Sequence, residues 1–290
     1  MVSTVDYVRK HPLLSYYVLA FAISWGAILL AVGPADFLSL TGSSPAFALA
    51  GVLSLLGPSL AGLLMTGLLE GRSGFRELLS RLRRWRVGVR WYALALLTAP
   101  LVNAATLLAL SLSSPKYLPA IATADDKLGL LLPGIGAGLF VAAFEEVGWS
   151  GFATPRFLSR HGVVASGLIM GVVWGVWHFP LFAGNAASAG SIPPVLLVAA
   201  LLFGWLPPYR VLMVWAYDRT QSLLIVMLMH VVIVVGQFAF AAETISPEGT
   251  FTSVVAYGAA LWLVVGAVAL VNGGHITRER RPAPGRAIAA

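Results

Sequence analysis

Two adjacent glutamates, Glu145 and Glu146, close one apolar run of the 290-residue chain, and two histidines, His178 and His230, stand inside later apolar runs. A charged side chain near a bilayer centre costs about 2.5–3.5 kcal/mol on insertion scales, so ionisable groups at that depth mark a site of chemistry. A carboxylate screened from water is an effective general base, and histidine N–H groups can stabilise a developing oxyanion. The same four groups could instead relay protons or ligate zinc. Consecutive helical residues point about 100° apart, so Glu145 and Glu146 cannot both face one cavity. One is expected to work, and the other to serve as its structural partner.

The surrounding residues constrain how these groups meet. In WGVWHFP, Trp174 and His178 are four apart and share a helix face, so the indole can wall the imidazole. Pro180 should distort the helix just beyond and free a carbonyl near the site. His178 lies fifteen residues past Val163, about 22 Å along a helix, whereas His230 lies roughly 12 Å into its own run. They reach the glutamates only if the fourth apolar run stays helical to about Pro155 and the fifth starts nearer Ser166. Trp149 and Gly151 would then be buried, and Glu145, His178 and His230 would converge on one cavity opening to the cytoplasm or laterally to lipid.

The elements that must carry these residues are membrane helices. With 58% hydrophobic and 11% charged residues, the chain falls far below the charge of about 25% that soluble domains carry. Apolar runs near the 20 residues that cross a bilayer occupy 15–32, 46–69, 91–112, 128–149, 163–182, 194–217, 222–242 and 252–271. These predict an all-α polytopic protein of about eight transmembrane helices in a single domain, 1–273, with a motif-bearing core at 128–235. Pro207, Pro208 and Arg210 interrupt the sixth run. If the N-terminus is cytoplasmic, the outer loops hold only Lys116 and Lys127, and every other Lys and Arg except Arg210 falls on the inner side. That bias puts both termini in the cytoplasm. It also accounts for the net charge of +7 through topology and anionic lipid, with no call for nucleic acid.

Residues 70–90 are basic and amphipathic, with Phe75, Leu78, Leu79, Leu82 and Trp85 at helical spacing opposite the arginines. They are expected to lie along the inner leaflet or to form a structured loop clamped by lipid phosphates. The basic, Pro-containing tail 274–290 is expected to be a disordered cytoplasmic segment. The first run lacks a cleavage site and should remain as a helix. The chain has no cysteine, which removes thiolate ligands, a thiol nucleophile and cysteine lipidation. Richness in Ala, Gly, Arg and Trp with little Lys points to a GC-rich bacterium, hence a bacterial plasma membrane.

An apolar helix ending in EE with a following W and GF, an aromatic four residues before a His, and RT-x-SL leading into a second His-bearing helix together resemble the CAAX prenyl protease and bacteriocin-processing family. Its members are also called CPBP or Abi-type proteins. The family pattern is EExxxR, then [FW]xxxH, then HxxxN. The resemblance implies that Glu145 activates a water, His178 helps hold it and His230 helps form the oxyanion site, with Glu146, Trp149 and Trp174 in support. It further implies a metal-independent, cofactor-free hydrolase, a glutamate-dependent intramembrane endopeptidase acting on a peptide or lipidated protein in the membrane. The chain has no HExxH, and the candidate ligands lie on separate helices.

Two positions depart from that pattern: Ser150 stands where Arg is expected, and Val234 where Asn is expected. Arg156 is the nearest replacement for the missing charge. Loss of the Asn removes a donor worth a hundredfold or more in rate. A catalytically weakened relative, acting by binding as an immunity or scaffold protein, is the alternative these departures favour. If the chain is a slowed protease, Ser150→Arg with Val234→Asn should raise turnover.

Overall fold

The computed structural model describes residues 4–41, 44–184, 189–240, 245–272 and 276, and every regular element among them is helical. A short helix, Thr4–Lys10, leads into α1 (Pro12–Asp36). There follow α2 (Pro45–Leu82), α3 (Val89–Ser111), α4 (Lys127–Leu158), α5 (Val163–Trp177), α6 (Pro194–Thr220), α7 (Leu223–Ala239) and α8 (Pro247–Val271). Six of these are long and apolar enough to cross a membrane, whereas α5 and α7 are shorter apolar helices of 15 and 17 residues. The chain is an all-α, multi-pass membrane protein whose helices fill the eight apolar runs. The tail 274–290, apart from residue 276, lies outside the described residues, as does the end of the seventh run beyond residue 240.

Side-chain caps fix where several helices start. Asp126 accepts from the Gly129 N–H at 2.8 Å ahead of α4, and Ser222 and Ser246 do the same for Ile225 and Gly249 ahead of α7 and α8. In α2 the helix breaks at Gly71, whose φ of +59° is a conformation that side-chain-bearing residues rarely adopt. The basic stretch then resumes as helix to Leu82 and leaves it over Arg83–Gly88, so its first half is helical and its end is a loop.

Small residues bring the central helices together, as membrane packing requires. Gly167, Gly171 and Gly175 line one face of α5 against α6. A methyl added at each would lie 2.5 Å from the Val211 Cα, the Pro207 Cα and the Leu202 carbonyl oxygen, respectively. Gly134 and Gly138 of α4 lie against Val235 and Val231 of α7 in the same way. The sixth run, interrupted in sequence, is the most enclosed of the long helices: 61% of its apolar window is buried, against 17% in α1, α3 and α8. Its prolines cause no break because Pro207 and Pro208 sit in the first turn of the regular segment Leu206–Thr220, where an N–H has no helical partner to lose. A π-helical stretch, Ala200–Gly204, precedes that segment.

Candidate active site

The fourth helix does not end at its glutamates. It passes through Glu145 and Glu146 into a π-helical stretch, Val147–Ala153, and closes as the α-helical turn Thr154–Leu158. Such π segments recur at functional sites because the extra residue re-aims the side chains around it. The extension past Pro155 matches the sequence expectation, whereas α5 begins at Val163 and not near Ser166. The depths nonetheless agree. Glu145 stands thirteen residues from Leu158, roughly 19 Å along the helix, close to the 22 Å reckoned for His178. His230 reaches the same level because the α6–α7 turn is sunk into the protein: Ser222 is fully buried and donates to the Arg84 carbonyl at 2.7 Å.

The two glutamates have separate surroundings. Glu145 Oε2 accepts from the Trp149 indole at 3.1 Å and the Trp174 indole at 2.8 Å, and the side chain is buried. Glu146, fully buried, is held by Arg210, whose Nη1 lies 2.9 Å from Oε1 and 3.1 Å from Oε2. Its Oε1 also lies 2.8 Å from His230 Nδ1, and the Ser150 hydroxyl donates to Oε2. Arg210 in turn reaches the Ser150 oxygen at 3.3 Å through Nη2. Glu146 is therefore a four-centre structural hub, and Glu145 a carboxylate with one oxygen fixed by indoles.

The His178 Nδ1 lies 2.8 Å from the Trp174 carbonyl, which can only accept. Nδ1 therefore carries the proton, and in the neutral ring Nε2 is left as an acceptor. Trp174 packs edge-on against both imidazoles, with ring centroids 5.6 Å from His178 and 5.3 Å from His230. Beyond His178 the helix ends as Pro180 leads one would expect, and the Trp177 carbonyl accepts from the Trp25 indole at 3.0 Å.

Arg156 does not take the place of the missing arginine. It pairs with Glu70, donates to the Phe152 carbonyl at 2.7 Å and stacks over the Phe152 ring. The guanidinium beside the glutamates comes instead from Arg210 on α6, a residue that sequence reasoning treated only as an interruption. The signal was present, since an arginine inside an apolar run calls for a buried carboxylate partner. Ser150 lies within the network, so its hydroxyl and Arg210 together occupy the neighbourhood of Glu146. An arginine added at 150 would meet a carboxylate already paired, which reverses the gain expected from Ser150→Arg.

Glu145, Trp174, His178 and His230 line one cavity of about 810 Å³, together with Val234. Its other walls come from the start of α2, the end of α3, the end of α7 and the start of α8, for example Phe47, Leu107, Phe238 and Val254. Val52, Phe140 and Phe238 on its lining are exposed on the protein surface. These walls belong to the half of the bundle remote from the arginine-rich helix ends, and the exposed lining residues fit the lateral opening that was the second of the two expected.

Residues 127–236 match the family model described as type II CAAX prenyl endopeptidase Rce1-like. Over 101 residues the chain is 27% identical to CAAX prenyl protease 2 of Methanococcus maripaludis, a stretch covering 34% of this chain and 37% of that protein. The similarity thus spans little more than a third of that relative's length. The matched region is the one in which α4 supplies the paired glutamates, α5 the Trp–His pair, α6 the arginine and α7 the second histidine. Through residues 127–236, then, the chain is similar to the type II CAAX prenyl endopeptidase Rce1-like family.

Proposed function

We propose that the protein is an intramembrane endopeptidase in which Glu145 activates a water against a peptide bond of a membrane-associated substrate. The observation that carries this reading is the shared cavity: Glu145, with Oε1 outside the indole bonds, and His178, with Nε2 free to accept, line the same cavity as His230. A water held by Glu145 Oε1 and His178 Nε2 gives its proton to the carboxylate as its oxygen bonds to the scissile carbonyl carbon. The proton then passes to the amide nitrogen as the C–N bond breaks. His230, anchored through Nδ1 on Glu146, offers Nε2–H to the oxyanion when its ring carries both protons. In that form the two glutamates balance Arg210 and His230, so the buried cluster is neutral. No step requires a metal, and the oxygens of Glu146 are already committed as acceptors to Arg210, Ser150 and His230.

Composition favours a bacterial plasma membrane, the apolar runs eight spans in one domain over 1–273, and the arginine distribution both termini in the cytoplasm. Phe75, Leu79 and Trp85 are exposed beside the arginines of the α2 extension, an arrangement suited to anionic lipid at the inner surface. One observation favours the second reading, a binding or immunity protein: Val234 presents an apolar wall one turn beyond His230, where the family pattern has a donor.

The test is cleavage of a panel of membrane-anchored peptides by purified protein in oxygen-18 water. The proposal expects one heavy oxygen in each new carboxyl group, and a rate at least a hundredfold lower for Glu145→Gln. Cleavage by neither protein, with both folded, would leave the binding reading.

A further inference from the structure

The candidate site is closed on one side and open on the other, and the charge pattern says which side is which. Below the glutamates, toward the arginine-rich ends, the Leu78 side chain sits where a Gly151 side chain would project. Arg81 reaches the Gly151 carbonyl at 3.4 Å, and Ser222 bonds Arg84. The rings of Tyr16, Tyr17 and Phe152 pack around the same level. Above the glutamates the cavity is lined by helix ends whose connecting loops carry Lys116 and Lys127 as their basic residues, alongside Asp36, Asp125, Asp126 and Glu248. Basic residues stay cytoplasmic, so the open half is the extracytoplasmic one.

We propose that the cavity takes its peptide from the extracytoplasmic half of the bilayer, and that the substrate is an apolar segment of a polypeptide that has already crossed the membrane. The term substrate rests on the endopeptidase reading above; the side of entry does not. The lining supports such an occupant. Leu107, Phe238 and Val254 offer apolar wall, and Asn103, Gln237 and Thr250 supply amide and hydroxyl groups along it. Backbone groups drawn into a membrane must find partners inside the protein, and these three side chains can satisfy an extended strand on its way to Glu145. A polar chain end arriving from the cytoplasm would have to displace the Leu78 and Ser222 contacts first.

The absence of cysteine makes the test direct, because one introduced thiol is then the only one. Asn103→Cys and Thr250→Cys report the cavity wall, and Arg84→Cys, on an exposed residue, reports the opposite end. Each is treated with a membrane-impermeant sulfonated maleimide in right-side-out and in inverted vesicles. Both wall thiols should react at least tenfold faster in right-side-out vesicles, and Arg84→Cys at least tenfold faster in inverted ones. Wall thiols that react faster in inverted vesicles, or that stay unlabelled in right-side-out vesicles while Arg84→Cys reacts normally in inverted ones, would overturn the proposal. The same vesicles receive an apolar peptide on the outside. Wall labelling from outside without cleavage would uphold the side of entry and sink the endopeptidase reading. Cleavage with labelling only from inside would do the reverse.

Discussion

Glu145 and Glu146 have the same chemistry and neighbouring positions, yet different partners, and the proposed division of work between them rests on that difference. One oxygen of Glu145 is pinned by two indoles, while Glu146 is tied to a guanidinium, an imidazole and a hydroxyl. Breaking a buried ion pair by removing one partner costs about 3–5 kcal/mol, whereas removing both costs far less. Arg210→Met should therefore lower stability in detergent by about 3–5 kcal/mol, and Glu146→Gln combined with Arg210→Met should recover much of the loss in thermal unfolding. Equal stability of wild type and Arg210→Met would mean that the pair is not structural. At 150 and 234 the two restorations now separate. Val234→Asn alone should raise turnover by roughly ten- to a hundredfold, since it adds a donor to the cavity. Ser150→Arg should instead destabilise by several kcal/mol, because the new guanidinium finds Glu146 already paired. Rates and melting temperatures of the two single variants decide this.

At the level of elements, the approach of α5 to α6 sets the site, because α5 carries Trp174 and His178 and α6 carries Arg210. A methyl at Gly171 would meet the Pro207 Cα, a backbone atom with little room to yield. Gly171→Ala is thus expected to cost about 1–3 kcal/mol and to lower activity by misplacing Trp174, read as a drop in melting temperature together with a lower turnover of the folded fraction. How much of this was legible in sequence varied with the kind of signal. Glu145, His178 and His230 stood out because polar groups in apolar runs are rare, and Trp174 because four-residue spacing defines a helix face. Arg210 was hidden by the two prolines beside it, which read as a break although they begin a helical segment. The π-helical stretches at 147–153 and 200–204 had no local sequence mark, since they follow from how neighbouring helices pack. The depth of His230 was reckoned from a surface turn, whereas the Ser222 turn is buried beneath Arg84.

For the molecule as a whole, the proposed orientation of the site rests on the asymmetry of charge. Arginines gather at one set of helix ends, and the cavity occupies the other half. Reporter fusions after residue 290 and within the loop near Lys116 should place the first in the cytoplasm and the second outside. The opposite pattern would turn the cavity toward the cytoplasm. The central claim, that Glu145 is the working carboxylate and Glu146 the structural one, is tested most directly by measuring peptide cleavage and thermal stability together for Glu145→Gln and Glu146→Gln in proteoliposomes. The account predicts that Glu145→Gln unfolds within a few degrees of wild type and loses at least a hundredfold in rate, while Glu146→Gln shows a much larger fall in melting temperature. A Glu145→Gln protein that cleaves at the wild-type rate would contradict it.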